Sequence, residues 1–340
     1  MSSERRRTQT QAARAPAGQP SGSPMPYLRM MRPDHWFKNV FVLPGAILAV
    51  FFEPERATSA ALLPLLGTLA ATCIVASSNY VLNELLDAPQ DREHPVKHRR
   101  PAASGLVRPL PALALWLALA LLGLGLAWSV NPYVGRSALA LWTMGIVYNV
   151  PPWRTKELPY LDVISESVNN PIRLMLGWFA LIGDAFPPVS LGIAYWMFGA
   201  FFMAIKRFAE YRHIDDAEAA GRYRRSFVHY DEDRLLVGLF FFAMMGALFT
   251  GVFVVRYHLE LILAMPLVAG FMTWYLRIGL APDSPVQHPE RLWHERAFVG
   301  YALLCVVAFF GLMFVHVPAM YDWFNVELSN HSPLWTLGGR

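Results

Sequence analysis

Charge is what this sequence has least of. Asp, Glu, Lys and Arg make up 16% of its 340 residues, against about 25% in an ordinary soluble domain. That deficit excludes a large water-facing surface. Cysteine is scarcer still: Cys73 and Cys305 are the two present, each inside an apolar run. They imply no disulfide framework and read as small core residues. The sequence has no heptads and no short-period repeat. Its first arginines, Arg5, Arg6 and Arg7, are not followed by an apolar stretch. Residues 1–26 therefore read as a disordered basic tail and not as a signal peptide.

Apolar runs are what the chain has in abundance. It is 55% hydrophobic, with a mean hydropathy of +0.32. Several runs reach the roughly 20 residues that a helix needs to cross the bilayer core. Nine are expected, near 39–52, 60–84, 110–129, 134–151, 160–182, 188–205, 235–255, 259–276 and 297–316. With the N-terminus in the cytoplasm, 24 of the 29 Lys and Arg residues fall on the cytoplasmic side. Arg56, Arg136, Arg256 and Arg340 fall opposite, and Arg173 falls within a run. Lys and Arg accumulate on the cytoplasmic face of membrane proteins, so this asymmetry predicts nine transmembrane helices, N-terminus inside and C-terminus outside. The fold class is all-α and polytopic, with a transmembrane domain over 27–316 and an extracytoplasmic tail over 317–340.

The inside loops near 85–109 and 206–234 are long and charged, whereas the outside loops are short. Long polar loops on one face are where function concentrates. "NELLDAPQD" places Asn83, Asp87 and Asp91 at i, i+4 and i+8, along one helical stripe. Their hard oxygens suit Mg²⁺, which takes one or two carboxylates plus substrate phosphates. Pro89 would end this helix near Asp87 and leave Asp91 on the loop. Lys97 and Arg100 follow at once, as candidate diphosphate contacts or as plain positive-inside charge. In "KRFAE", Lys206 and Glu210 share a face at the membrane edge, beside Arg207. In 160–182, Asp162, Glu166, Asn169 and Arg173 follow a 4-3-4 spacing. That makes one polar stripe inside a membrane run, where ionisable groups by default face a cavity and a partner; a Glu166–Arg173 network between helices is the bland alternative. Lys38, in "RPDHWFKN", is a further phosphate candidate, although snorkelling to the interface explains it equally well.

These residues resemble the UbiA-type intramembrane prenyltransferase superfamily, with its nine helices and its Asn-x-x-x-Asp-x-x-x-Asp motif after the second. Within it, "RPDHWFKN", "DREHPVKHRRPAASG" and "KRFAE" look like decaprenyl-phosphate phosphoribosyltransferases. The second Asp-rich motif usual after the sixth helix is absent; Asp215 and Asp216 come later and are weak substitutes. Glu84 stands where that group commonly has Asp, and "YNVPPWRTK" looks more like the branch that prenylates rings. The resemblance implies a Mg²⁺-dependent transferase of a bacterial-type inner membrane, acting on a polyprenyl lipid and a diphosphate donor, with no nucleic-acid partner. Asn83, Asp87 and Asp91 would hold the metal. Lys38, Lys97, Arg100, Arg173, Lys206, Arg207 and Glu210 would line the substrate. Asp162 and Glu166 would be the catalytic acids, stabilising a developing cation or taking the acceptor proton. Phosphoribosyl transfer to a polyprenyl phosphate leads, and prenyl transfer to an aromatic acceptor is the alternative. A transporter of an anionic solute is the alternative of another class. It predicts polar groups at mid-bilayer with access from both sides, whereas the clusters here gather at one end.

Overall fold

A computed structural model of the chain describes residues 23–92, 97–214, 220–221, 223–282, 284–287, 292, 294–327 and 334–337. These are helical almost throughout, with one isolated β-bridge, Ala185 to Thr336, and no strand among the described residues. A lipid environment offers the backbone no hydrogen-bond partner, so helices that satisfy their own backbone are the expected solution.

Each of the nine anticipated runs is helical. A short helix α1 (Met25–Met30) and a 3₁₀ stretch (Pro33–Val42) lead into α2 (Leu43–Phe52). The first described helix thus starts at Met25, just inside the expected tail. Helix α3 (Leu62–Asp91) is followed by α4 (Pro109–Val130) and α5 (Pro132–Asn149). Asn131 caps α5 by accepting from the backbone N–H groups of Tyr133 and Val134, and Pro132 supplies the first helical residue. The fifth run is not continuous: α6 (Leu161–Ser167) breaks at Val168 and α7 (Asn169–Phe179) follows. Then come α8 (Val189–Ile214), α9 (Glu232–Tyr257), a 3₁₀ turn with α10 (Met265–Gly279), α11 (Arg296–Leu312) and α12 (Pro318–Trp323). Among the described residues, six helical stretches are long and apolar enough to cross a membrane: 25–52, 59–91, 109–130, 189–214, 232–257 and 259–279.

Pro89 does not end its helix. Helix α3 continues to Asp91, and the Arg92 N–H still donates to the Ala88 carbonyl. Proline forfeits one helical hydrogen bond, but so near the C-terminus the remaining turn holds, and Asp91 stays in register with Asn83 and Asp87.

The longest packed seams are α8 against α9 and α3 against α4, and α2 crosses α7. At that crossing a Cβ on Gly45 would meet the Leu174 carbonyl oxygen, and one on Gly177 would meet that of Val42. Small residues let membrane helices approach backbone to backbone. This approach brings the 3₁₀ stretch alongside α7, and with it the residues around Lys38 beside Arg173.

The far end is tied down by the C-terminal segment. The buried Glu260 carboxylate accepts from the Val317 N–H (2.7 Å) and the Tyr321 hydroxyl (3.1 Å). Leu337 N donates to the Asp184 carbonyl, and Phe186 N to that of Trp335.

Candidate active site

The polar groups converge at one end of the bundle, at the C-terminal ends of α3, α5 and α8. Asn83, Asp87 and Asp91 line one face of α3. Asn83 Nδ2 donates to Asp87 Oδ2 (3.1 Å) and to Asn149 Oδ1 (2.6 Å). Asp87 Oδ1 is met by Arg154 Nη2 (3.0 Å) and Lys156 Nζ (2.5 Å), and Asp91 Oδ2 by Arg100 Nη1 (2.6 Å). The stripe therefore attracts three cations, from two separate points of the chain. Its donor set is two carboxylates and an amide, with the second oxygen of Asp91 not engaged by any described protein donor. Among the described residues, no group of three or more His, Cys, Asp or Glu side chains forms a metal cage by itself. A partial site of hard oxygens is what Mg²⁺ completes with substrate phosphates and water, so the residues fit that ion.

Arg154, Lys156 and Asn149 are the contributors that motif reasoning missed. They lie in and around "YNVPPWRTK", which carries them on the turn after α5. Arg154 adopts φ 30 there, a left-handed conformation uncommon for a residue with a Cβ and concentrated at functional sites. Its guanidinium also bonds Glu157 Oε1 (2.6 Å). Burial pushes the Lys156 ammonium down to about 8, against the pull of Asp87. Burial pushes the Glu157 carboxyl up, but its Arg154 partner outweighs this and holds it below the usual range.

Glu84 faces away from the stripe. It is 2% exposed, accepts from the Ala102 N–H (3.2 Å) and lies 3.7 Å from Arg32. Its role is to fasten the returning loop, with Arg100 on it, to α3. Lys97 sits over the Tyr223 ring (5.2 Å), joining this loop to the one after α8 through a cation–π contact. Burial and the nearby Arg100 lower its ammonium from the ordinary value.

A second hub centres on Arg207, 2% exposed. Its guanidinium meets Glu166 (2.7 Å), Glu210 (3.1 Å) and Asp162 (3.3 Å). The direct phosphate contact expected of Arg207 is thus not what its surroundings provide; three carboxylates already encircle it. Asp162 is 0% exposed. It accepts from Tyr230 (2.8 Å), Ser226 (3.1 Å), Arg207 and Arg224 (3.4 Å). Glu166 is more open and accepts from the Tyr148 hydroxyl (2.9 Å). Lys206 lies 4.0 Å from Glu210, the expected i,i+4 pair.

The single stripe expected over Asp162, Glu166, Asn169 and Arg173 does not form, because the helix breaks at Val168. Glu166 turns to Arg207. Arg173 donates to Asn39 Oδ1 (3.1 Å) and to the Asn169 carbonyl (3.3 Å), with no Glu166–Arg173 ion pair among the described residues. Lys38 lies within the influence of Lys206, Glu166 and Arg173. Asp215 and Asp216 lie outside the described residues. Tyr148 and Asn149 join the two hubs: Asn149 bonds the α3 stripe, and Tyr148 bonds Glu166 of the Arg207 hub.

The profile of the UbiA prenyltransferase family matches residues 41–295. A decaprenyl-phosphate phosphoribosyltransferase of Mycolicibacterium smegmatis is 30% identical over 231 residues, covering 66% of this chain and 69% of the relative. A protoheme IX farnesyltransferase of Shouchella clausii is 31% identical over 141 residues, covering 39% of this chain and 43% of that protein. The fold matches a UbiA homolog from Archaeoglobus fulgidus bound to GPP and Mg²⁺, with a TM-score of 0.63 at 20% identity, over 85% of this chain and 100% of that one.

Proposed function

The chain belongs to the UbiA prenyltransferase family and is an integral membrane transferase, and from that premise we propose that it transfers phosphoribose from phosphoribosyl diphosphate to a polyprenyl phosphate. The observation that carries the site assignment is the α3 stripe, whose two carboxylates each hold a guanidinium or ammonium from another part of the chain. The resemblance to a decaprenyl-phosphate phosphoribosyltransferase over 66% of the chain supports the substrate choice. Basic Lys206, at the end of α8, supports it too.

Asn83, Asp87 and Asp91 would hold Mg²⁺, which supplies neutralising charge to the donor diphosphate. The chain's own residues do the rest. Arg100, Arg154 and Lys156 stand next to the stripe and stabilise negative charge as it builds on the leaving diphosphate. Lys97 and Lys206 extend that basic lining. An oxygen of the lipid phosphate forms the new bond to the anomeric carbon while the carbon–oxygen bond to diphosphate breaks. The diphosphate leaves with the electron pair. Glu166, the more open of the two acids, faces the developing positive charge on the sugar or takes a proton from a monoprotonated acceptor. Asp162 holds Arg207, Arg224 and the loop after α8 in place. All nine helical runs cross the membrane in this scheme, with N-terminus and active-site loops cytoplasmic and C-terminus outside.

The farnesyltransferase relative favours a second reading, prenyl transfer to an aromatic or ring acceptor at the same site. Purified chain is incubated with Mg²⁺, farnesyl phosphate and labelled phosphoribosyl diphosphate, and separately with labelled farnesyl diphosphate and hydroxybenzoate. Label entering the lipid phase in the first mixture alone is expected. Product in the second alone overturns the phosphoribosyl assignment. Asp87→Asn should abolish Mg²⁺-dependent turnover in a protein that still inserts and folds; wild-type rates in that variant sink the metal assignment.

A further inference from the structure

We propose that the site contains two separate anion subsites, and that Lys38 and Arg173 form the second, which binds the phosphate monoester of the lipid acceptor. This deepens the phosphoribosyl-transfer reading and rests on it.

The two subsites separate when each cation is matched to its partner. Arg154 and Lys156 are matched to Asp87, and Arg100 to Asp91. Arg207 and Arg224 are matched to Asp162, and Arg207 to Glu166 and Glu210 as well. Lys38 and Arg173 are different. Among the described residues, neither has a carboxylate within 4.0 Å, and Lys38 makes no hydrogen bond. Arg173 is held by neutral groups alone, through Nε to Asn39 and Nη1 to the Asn169 carbonyl. Its Nη2 makes no hydrogen bond among the described residues.

Lys38 lies within electrostatic reach of Lys206 and Arg173, which repel it, and of Glu166, which attracts it; a cation so placed inside a membrane bundle is costly unless an anion completes it. The two cations are also held rigidly. Lys38 and Asn39 ride on the 3₁₀ stretch and Arg173 on α7, across the backbone contact at Gly45 and Gly177. Asn39 is fixed in turn by donating to Cys73. Two further buried polar atoms in this neighbourhood lack partners: the Tyr195 hydroxyl and Asn169 Oδ1. Buried polar atoms are nearly always satisfied, so unsatisfied ones clustered beside unpaired cations point to a bound ligand. Tyr195 acts on Arg173 electrostatically, and its ring packs on Phe41, one 3₁₀ turn beyond Lys38. Phe37, Val40 and Phe41, next to Lys38, are exposed on the outside of the bundle. An isoprenoid chain lying along them would carry its headgroup to the Lys38 ammonium.

The chemistry selects a dianion. Prenyl transfer to a ring requires one phosphate subsite, for the donor diphosphate, even where the ring carries a carboxylate as hydroxybenzoate does. Phosphoribosyl transfer to a lipid phosphate requires two, one for each phosphorylated substrate. Two cations match a phosphate monoester better than a single carboxylate.

The test uses the full chain in nanodiscs with Mg²⁺, with farnesyl phosphate as the acceptor probe and phosphoribosyl diphosphate as donor. Lys38→Met and Arg173→Gln should each raise the KM for farnesyl phosphate roughly tenfold or more, the loss expected of a charge-assisted contact. The donor KM should stay within about twofold, since a site lacking this contact binds the donor unchanged. Labelled farnesyl phosphate binding without donor should weaken in parallel. Arg173→Gln also disturbs Asn39, but Lys38 has no protein partner to lose, so Lys38→Met remains informative if the first variant fails to fold. A raised donor KM with an unchanged acceptor KM overturns the proposal, as do wild-type constants in Lys38→Met. Dependence of hydroxybenzoate prenylation on Lys38 overturns the phosphate assignment. If the wild-type chain forms no phosphoribosyl lipid, the proposed function fails. The donor-free binding measurement still decides whether Lys38 and Arg173 hold a lipid phosphate.

Discussion

At the scale of single residues, Asp162 and Glu166 are alike in the sequence, two acids one turn apart, and unlike in the fold. Asp162 is wholly enclosed, with both oxygens accepting hydrogen bonds. Glu166 remains partly open, with one oxygen on Tyr148 and Arg207. Removing one partner of a buried ion pair leaves an uncompensated charge and costs about 3–5 kcal/mol. Replacing an acid at a partly exposed pair changes stability by about 1 kcal/mol or less. Asp162→Asn should therefore lower the midpoint of thermal unfolding in detergent and lose activity with it. Glu166→Gln should unfold near the wild-type temperature while kcat falls. Thermal scans on both variants, with turnover measured alongside, check this. An Asp162→Asn protein as stable as wild type but inactive would move Asp162 from a positioning to a catalytic role. The spacing alone could not separate the two acids, because it places residues on a helix but does not show which donors other elements bring to them. Ser226 and Tyr230 reach Asp162 from more than 60 residues away.

At the scale of elements, the apolar runs and the register of Asn83, Asp87 and Asp91 were legible because both follow from local periodicity. Two features were not. The expected break at Pro89 does not occur, and the unexpected one at Val168 does, because packing decides whether a helix end frays or continues. The contribution of "YNVPPWRTK" was also hidden, since Arg154 and Lys156 become ligands of Asp87 only when α5 is laid beside α3. The C-terminal segment is a further tertiary effect. It closes the far end of the bundle through the buried Glu260 carboxylate, which Val317, Tyr321 and His316 approach. Glu260→Ala would leave the Val317 N–H and the Tyr321 hydroxyl without that acceptor, at about 1–3 kcal/mol for a buried unsatisfied donor. The expected outcome is faster hydrogen exchange over residues 317–327, with the KM for both substrates unchanged, because the reacting groups lie at the opposite end. Unaltered exchange in that segment would show that the clamp does not hold it.

At the scale of the whole molecule, the two ends of the bundle differ in charge and in task. The α3 stripe, the Arg207 hub and their loops occupy one end, and that end carries most of the Lys and Arg residues. Among the described residues, Arg56, Arg136 and Arg256 lie at the opposite turns. Translocating a loop dense in Lys and Arg is unfavourable, so such loops stay in the cytoplasm. The proposed phosphorylated, water-soluble donor would reach the site from the same compartment, so charge and the proposed chemistry favour the same orientation. A single cysteine at His229, in the loop after α8, should then be shielded from a membrane-impermeant maleimide in intact cells. It should react once the membrane is permeabilised. A single cysteine at Ser129, at the far end of α4, should react in intact cells. The wild-type chain, with Cys73 half-buried and Cys305 buried, sets the background. The inverse labelling pattern would place the diphosphate site outside. A cytoplasmic donor could not reach it there, so the same result would count against phosphoribosyl diphosphate as the donor as well as against the orientation.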